Sequence, residues 1–163
     1  MKRCTITTCL ALAALAVLGS ASAAATKDQV PFKGSLEGTY TSVPIDPDFP
    51  LIVFNQLDAT GNATHLGKFE YDFPHIVNRT TRPSTGAGSC TFTAANGDQV
   101  FADIVGEATL IVPGLLFGVE QGTITGGTGR FAGATGSFVI ERLIDNVNFT
   151  TSGSFDGTIT RAH

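Results

Sequence analysis

Ile124-Thr-Gly-Gly-Thr-Gly-Arg-Phe-Ala-Gly-Ala-Thr-Gly136 constrains the architecture more than any other segment of the chain. Five glycines, at 126, 127, 129, 133 and 136, lie between two apolar, Thr-rich runs, a density that no helix tolerates. Glycine reaches positive φ and lets neighbouring backbone come close, and Phe131 can bury a large area, so the segment reads as a compact wrapped turn between two β-strands. Gly127-Thr-Gly129 has the look of a nucleotide loop, but a phosphate cradle needs a helix opening directly after its glycines. The next residues are instead Ser137-Phe-Val-Ile-Glu-Arg-Leu-Ile144, rich in β-branched and aromatic side chains, and the Lys-Ser/Thr of a P-loop is missing. The segment predicts a structural turn.

On either side of this turn, strands are expected at 118–125, 137–149 and 153–161. In the last, Phe155, Gly157 and Ile159 oppose Ser154, Asp156, Thr158 and Thr160. Upstream, Asn96-Gly97-Asp98 is a hairpin signal joining strands 90–95 and 99–112, because Asn and Gly tolerate positive φ. Pro113-Gly114 breaks the chain, and residues 115–117 read as a loop lid or the start of the next strand. Phe69, Tyr71 and Phe73 alternate with Lys68, Glu70 and Asp72 until Pro74 bends or ends the run, and 78–89 reads as a long polar linker. A strand over 51–60 is expected to turn at Gly61-Asn62. Residues 42–50 hold three prolines and read as a stiff surface loop. Over 30–41, Phe32, Gly34, Leu36, Gly38 and Tyr40 share one face, which predicts a strand with one wet side.

These strands number about eight, which suits a closed antiparallel eight-stranded barrel, with a two-sheet β-sandwich as the alternative. Closure removes the exposed edges that no amphipathic helix is available to cover. The glycines inside strands, at 34, 38, 106, 122 and 157, favour the barrel, since small coiled barrels bend at such positions. Gly34-Ser-Leu-Glu-Gly-Thr-Tyr-Thr41 and Gly153-Ser-Phe-Asp-Gly-Thr-Ile-Thr160 share one pattern, and they are the first and last strands. Up-and-down closure would pair them.

The chain's 163 residues are one domain's worth. Met1-Lys2-Arg3, an apolar run over 10–18 and Ser20-Ala-Ser-Ala-Ala-Ala25 read as an export signal over residues 1–23, cleaved after Ala23 or Ala25. Residues 24–163 then form a single barrel domain, secreted or periplasmic. Removing Lys2 and Arg3 from the 10 basic residues leaves eight against 14 acidic ones, a net charge of −6. Such an acidic surface argues against nucleic acid and anionic membranes as partners. Cleavage also removes Cys4 and Cys9, so Cys90 has no partner and the hydrophobic core must hold the domain.

The glycine turn, the strand after it and Gly153-Ser-Phe-Asp-Gly-Thr-Ile159 together resemble the allene oxide cyclase and dirigent barrel superfamily over about 40 residues. The resemblance implies an eight-stranded antiparallel barrel with an apolar central cavity, often assembled as trimers, that works without metal or organic cofactor. It also implies either cyclisation of a reactive oxylipin or the holding of a radical or quinone-methide intermediate during coupling. The matching motif is structural, so it carries over the fold and assigns no catalytic residue.

Chemistry in such a cavity needs an inward charged group among apolar walls. Glu120, on the face of Ile124, and Glu141, on the face of Val139, Leu143 and Val147, are the candidates. Arg142 lies on the competing face with Phe138, Ile140 and Ile144, so Glu141 and Arg142 cannot both point inward; each of these charged residues reads by default as a solvated strand residue. Phe69, Tyr71, Phe92 and Phe138 are candidate ligand-binding residues. Cys90 shares a face with Phe92 and reads as a small core residue. His65 and His75 lack metal-ligand spacing and read as strand-end residues, so no metal is expected. Asn62-Ala-Thr64, Asn78-Arg-Thr80 and Asn148-Phe-Thr150 fit the glycosylation pattern of a eukaryotic host. Three functions stay open: binding of a small apolar ligand, cofactor-free isomerisation or cyclisation, and a non-catalytic adhesion domain.

Overall fold

The computed structural model describes residues 28–160, and the expected export signal lies outside them. Eight strands run in chain order: β1 (Gln29–Pro44), β2 (Ile52–Ala63), β3 (Gly67–Asn78), β4 (Ser84–Ala94), β5 (Gln99–Val112), β6 (Leu115–Gly127), β7 (Thr135–Asp145) and β8 (Thr150–Thr160). Each pairs antiparallel with the next, and β8 returns to β1, giving a closed up-and-down barrel. Among the described residues no strand edge is left free, which rules out the sandwich.

Alternation of side chains sets the wall. In β1, Phe32, Leu36 and Tyr40 are buried while Lys33, Glu37 and Thr41 face water. The repeated pattern of the two ends has a geometric cause in their register. Phe32 lies opposite Gly157, Gly34 opposite Phe155 and Leu36 opposite Gly153, so each large inward side chain meets a residue without one. A Cβ on Gly34 would lie 2.8 Å from the Phe155 ring.

Several expectations need correction. Gly61-Asn62 does not turn the chain: β2 continues to Ala63, and the turn falls at 64–66, where His65 has φ +65°. Gly61 is a close-approach glycine, because the Phe69 ring sits 2.5 Å from where its Cβ would be. Pro74 does not end β3 either, although the ladder to β4 skips Phe73 and Pro74, as expected where a residue has no N–H to donate. The expected linker at 78–89 is mostly β4, leaving only 79–83 to connect. Residues 115–117 are strand, the start of β6.

The barrel's two ends differ. With strands alternating in direction, the turns 64–66, 95–98 and 128–134 collect at one end together with both termini of the barrel. There Phe32, Phe69, Phe92, Phe138 and Phe155 fill the interior with ring centroids 5.0–6.1 Å apart, mostly edge-to-face or tilted. Such pairs contribute about 0.5–1.5 kcal/mol each beyond their buried area. The glycine-rich segment closes this end with a short 3₁₀ turn, Gly129–Phe131, which buries Phe131 completely. Arg130 holds the cap by an ion pair to Asp98 at 3.5 Å and a hydrogen bond from its guanidinium to the Leu66 carbonyl.

Candidate functional site

At the other end the interior turns polar. Buried Tyr40, Asn55, His75, Ser84, Glu120, Arg142 and Thr151 come from six of the eight strands and the start of a seventh. Small residues make the space for them. A Cβ on Gly106 would lie 2.5 Å from Glu120 Cγ, and one on Gly153 would lie 2.5 Å from Arg142 Cβ, so both charged side chains rest on bare backbone. Ser84, Gly86, Gly106 and Ala108 leave a cavity of about 60 Å³ open at this mouth, room for a few waters or one small chemical group.

Glu120 and Arg142 form the centre of the site. Arg142 donates from Nε to Glu120 Oε2 at 3.0 Å and from Nη2 to Oε1 at 2.5 Å, a two-pronged pair across neighbouring strands β6 and β7. Its Nη1 donates to Thr151 Oγ1 at 3.3 Å, and that hydroxyl donates onward to the Leu143 carbonyl at 2.7 Å. Burial alone would lower the Arg142 pKa, but Glu120 more than offsets it and the net direction is upward. A buried pair of this kind adds little net stability, whereas removing one partner costs about 3–5 kcal/mol.

His75 stacks on Phe73 with centroids 4.1 Å apart and 12° between planes. Its Nδ1 lies 2.9 Å from the Phe73 carbonyl and its Nε2 lies 3.5 Å from Asn55 Nδ2. Burial pushes its pKa down. Tyr40 donates to Asn146 Oδ1 at 2.5 Å, tying β1 to the loop before β8, and burial pushes its pKa up. Arg79, half-buried at the mouth, donates to Ser42 Oγ at 3.1 Å.

Of the residues singled out from sequence, Glu120 is inside the mouth and Glu141 is exposed on the outer wall. The inward partner is Arg142, on the face with Phe138, Ile140 and Ile144. Phe69, Tyr71, Phe92 and Phe138 are buried in the packed interior and none lines the mouth cavity. Cys90 is buried in the core and its thiol is pushed up to about 12, mainly by burial. His75 is not a strand-end residue but lies inside the wall of β3. Sequence reading missed Asn55, Tyr40 and Thr151 because each is one of several polar residues in its strand, with nothing local to set it apart. Among the described residues no three His, Cys, Asp or Glu side chains converge as a metal site requires.

The fold is a closed eight-stranded barrel of the dirigent-like kind. Two solved structures carry the same architecture: the pterocarpan synthase dirigent protein PsPTS1, at 12% identity with a TM-score of 0.58 over 83% of this chain and 97% of that one, and the pterocarpan synthase dirigent protein GePTS1, at 14% identity with a TM-score of 0.55 over 96% of this chain and 100% of that one. At this identity the likeness concerns the fold alone. The sequence matches no family model and no curated protein.

Proposed function

We propose that this is an exported dirigent-like barrel that holds a small guest molecule at its polar mouth. The observation that carries the reading is the contrast between the two ends: one is packed with rings and capped, while the other keeps an open cavity lined by Asn55, His75, Glu120 and Arg142. The guest is smaller and more polar at its inner tip than a wholly apolar ligand of a hollow barrel, because the aromatic half is already filled. Its remaining surface can rest on the apolar mouth residues Val77, Leu116 and Ile144. Export rests on residues 1–23, whose charged start, apolar run and small-residue end fit a cleavable signal.

Binding is favoured over proton abstraction by the state of the carboxylates. Both oxygens of Glu120 are engaged by Arg142, and Glu141 faces solvent, so neither offers a free base to a guest. Thermal unfolding with a panel of compact amphipathic compounds tests the reading. A bound guest at 100 times its Kd stabilises the folded state by about 2.7 kcal/mol. Compact compounds should raise the melting temperature, long apolar dyes should not, and Ala108→Leu, which narrows the mouth, should remove the effect. A panel that leaves the melting temperature unmoved, or long dyes that outperform compact ones, would overturn it.

A further inference from the structure

We infer that Asn55 makes the mouth selective for neutral guests that carry a hydrogen-bond donor, such as an alcohol, over guests that offer only acceptors or bring a carboxylate. The inference rests on the mouth-binding reading above and names the class of guest.

The starting point is His75. Its Nδ1 sits 2.9 Å from the carbonyl of Phe73, and a carbonyl only accepts, so Nδ1 carries the ring hydrogen. In a neutral imidazole Nε2 is then a bare acceptor. The amide of Asn55 lies 3.5 Å from that acceptor, and only its NH₂ can answer it. The histidine therefore fixes which way the amide points.

This leaves Asn55 Oδ1, which has no hydrogen-bond partner, on a residue that is 8% exposed and lines the cavity. Buried polar atoms are nearly always paired, so an orphan beside a cavity marks where a guest's donor belongs. Solvent barely touches the atom, so a guest's donor meets it only if the Asn55 amide turns toward the cavity, and the contact given up in that turn is the long 3.5 Å one to His75. A ketone or ether leaves this oxygen orphaned. A hydroxyl or N–H satisfies it.

Charge on the guest is disfavoured by the neighbours. Glu120 and Arg142 already neutralise each other through two hydrogen bonds, and the cavity's other two charged residues, Arg79 and Glu107, are again one of each sign, so the mouth offers a charged guest no net attraction. A carboxylate brings further acceptors to a site whose open group is itself an acceptor.

Matched five-membered rings test the selectivity: cyclopentanol, cyclopentanone and cyclopentanecarboxylate, titrated into the isotope-labelled exported protein. The readout is the NMR shift of the Asn55 side-chain amide and of the Thr151 and Arg142 backbone amides. The alcohol should bind with a Kd about tenfold below that of the ketone, the ratio expected for one buried acceptor satisfied or left unpaired, and the carboxylate should bind most weakly. Asn55→Leu should bring alcohol and ketone within about twofold, while Asn55→Asp, which keeps an acceptor, should retain the alcohol's lead. Equal affinities, or a ketone or carboxylate that binds more tightly to the unaltered protein, overturn the selectivity and leave the mouth as a binding site. Failure of all three to move any mouth residue overturns the binding reading with it.

Discussion

His75 makes the folded state sensitive to mild acid. It is 6% exposed, and burial, the largest influence, lowers its pKa below the usual 6.5. Above that pH the imidazole is neutral in both folded and unfolded chains and contributes no slope. As pH falls through about 6.5 the unfolded chain takes up its proton first, so stability declines until the folded pKa is reached, and rises again on the way back up. Urea unfolding between pH 7.5 and 5 should show this loss, and His75→Gln should flatten that part of the profile. An unchanged profile in the variant would assign the loss to other groups. The sequence shows a histidine in a strand and nothing more: its depth depends on Gly88 across the ladder, where a Cβ would fall 2.7 Å from His75 Cβ.

Among the elements, the glycine-rich segment and β4 show opposite degrees of legibility. The segment at 124–136 is readable because its glycines serve local geometry: Gly129 and Gly133 have φ of +54° and +65°, values that favour glycine whatever surrounds them. The same segment carries a sharp contrast for mutagenesis. Phe131→Ala should destabilise the barrel by about 3–5 kcal/mol, since it empties the plug under the aromatic cluster. Gly126→Ala meets no atom within 4 Å and needs no positive φ, so it should be neutral or stabilising by up to about 1 kcal/mol. Equilibrium denaturation of both variants decides the matter, and a Phe131→Ala chain as stable as the unaltered one would mean the cap is not held by Phe131. In β4, Ser84-Thr-Gly-Ala-Gly-Ser89 looks like a linker because its small residues answer a tertiary need. They leave room for His75 and the mouth, a demand that no local pattern announces.

For the barrel taken together, closure is what organises everything else. β1 and β8 pair from Gln29 with Thr160 through Thr39 with Thr150, so the start of β1 and the finish of β8 lie side by side at the capped end. Joining them with a short Gly/Ser linker and reopening the chain between Asn96 and Gly97 should give a permutant that unfolds cooperatively with a melting temperature near the original. Ending the chain after Asp145 should instead abolish folding, because loss of β8 exposes two long edges and the inner faces of Phe32 and Phe138. Calorimetry on both chains would show it. A stable truncated protein would mean that the ring closure is dispensable.

The order of residues was enough to specify most of the strands, their alternation, the hairpin at Asn96-Gly97-Asp98 and the kinship of the two end strands, because these follow from period-two patterning and local backbone preferences. Which charged residue faces inward was settled by the assembled barrel alone. Both faces of β7 carry apolar side chains, Val139 and Leu143 outside and Phe138 and Ile140 inside, so periodicity could separate Glu141 from Arg142 without choosing between them. The choice was made by neighbours far along the chain: Glu120 from β6 pairs with Arg142, and Gly106 and Gly153 leave the space in which the two side chains meet. Pairing of opposite charges in a dry interior depends on three-dimensional proximity, which no spacing within one strand encodes.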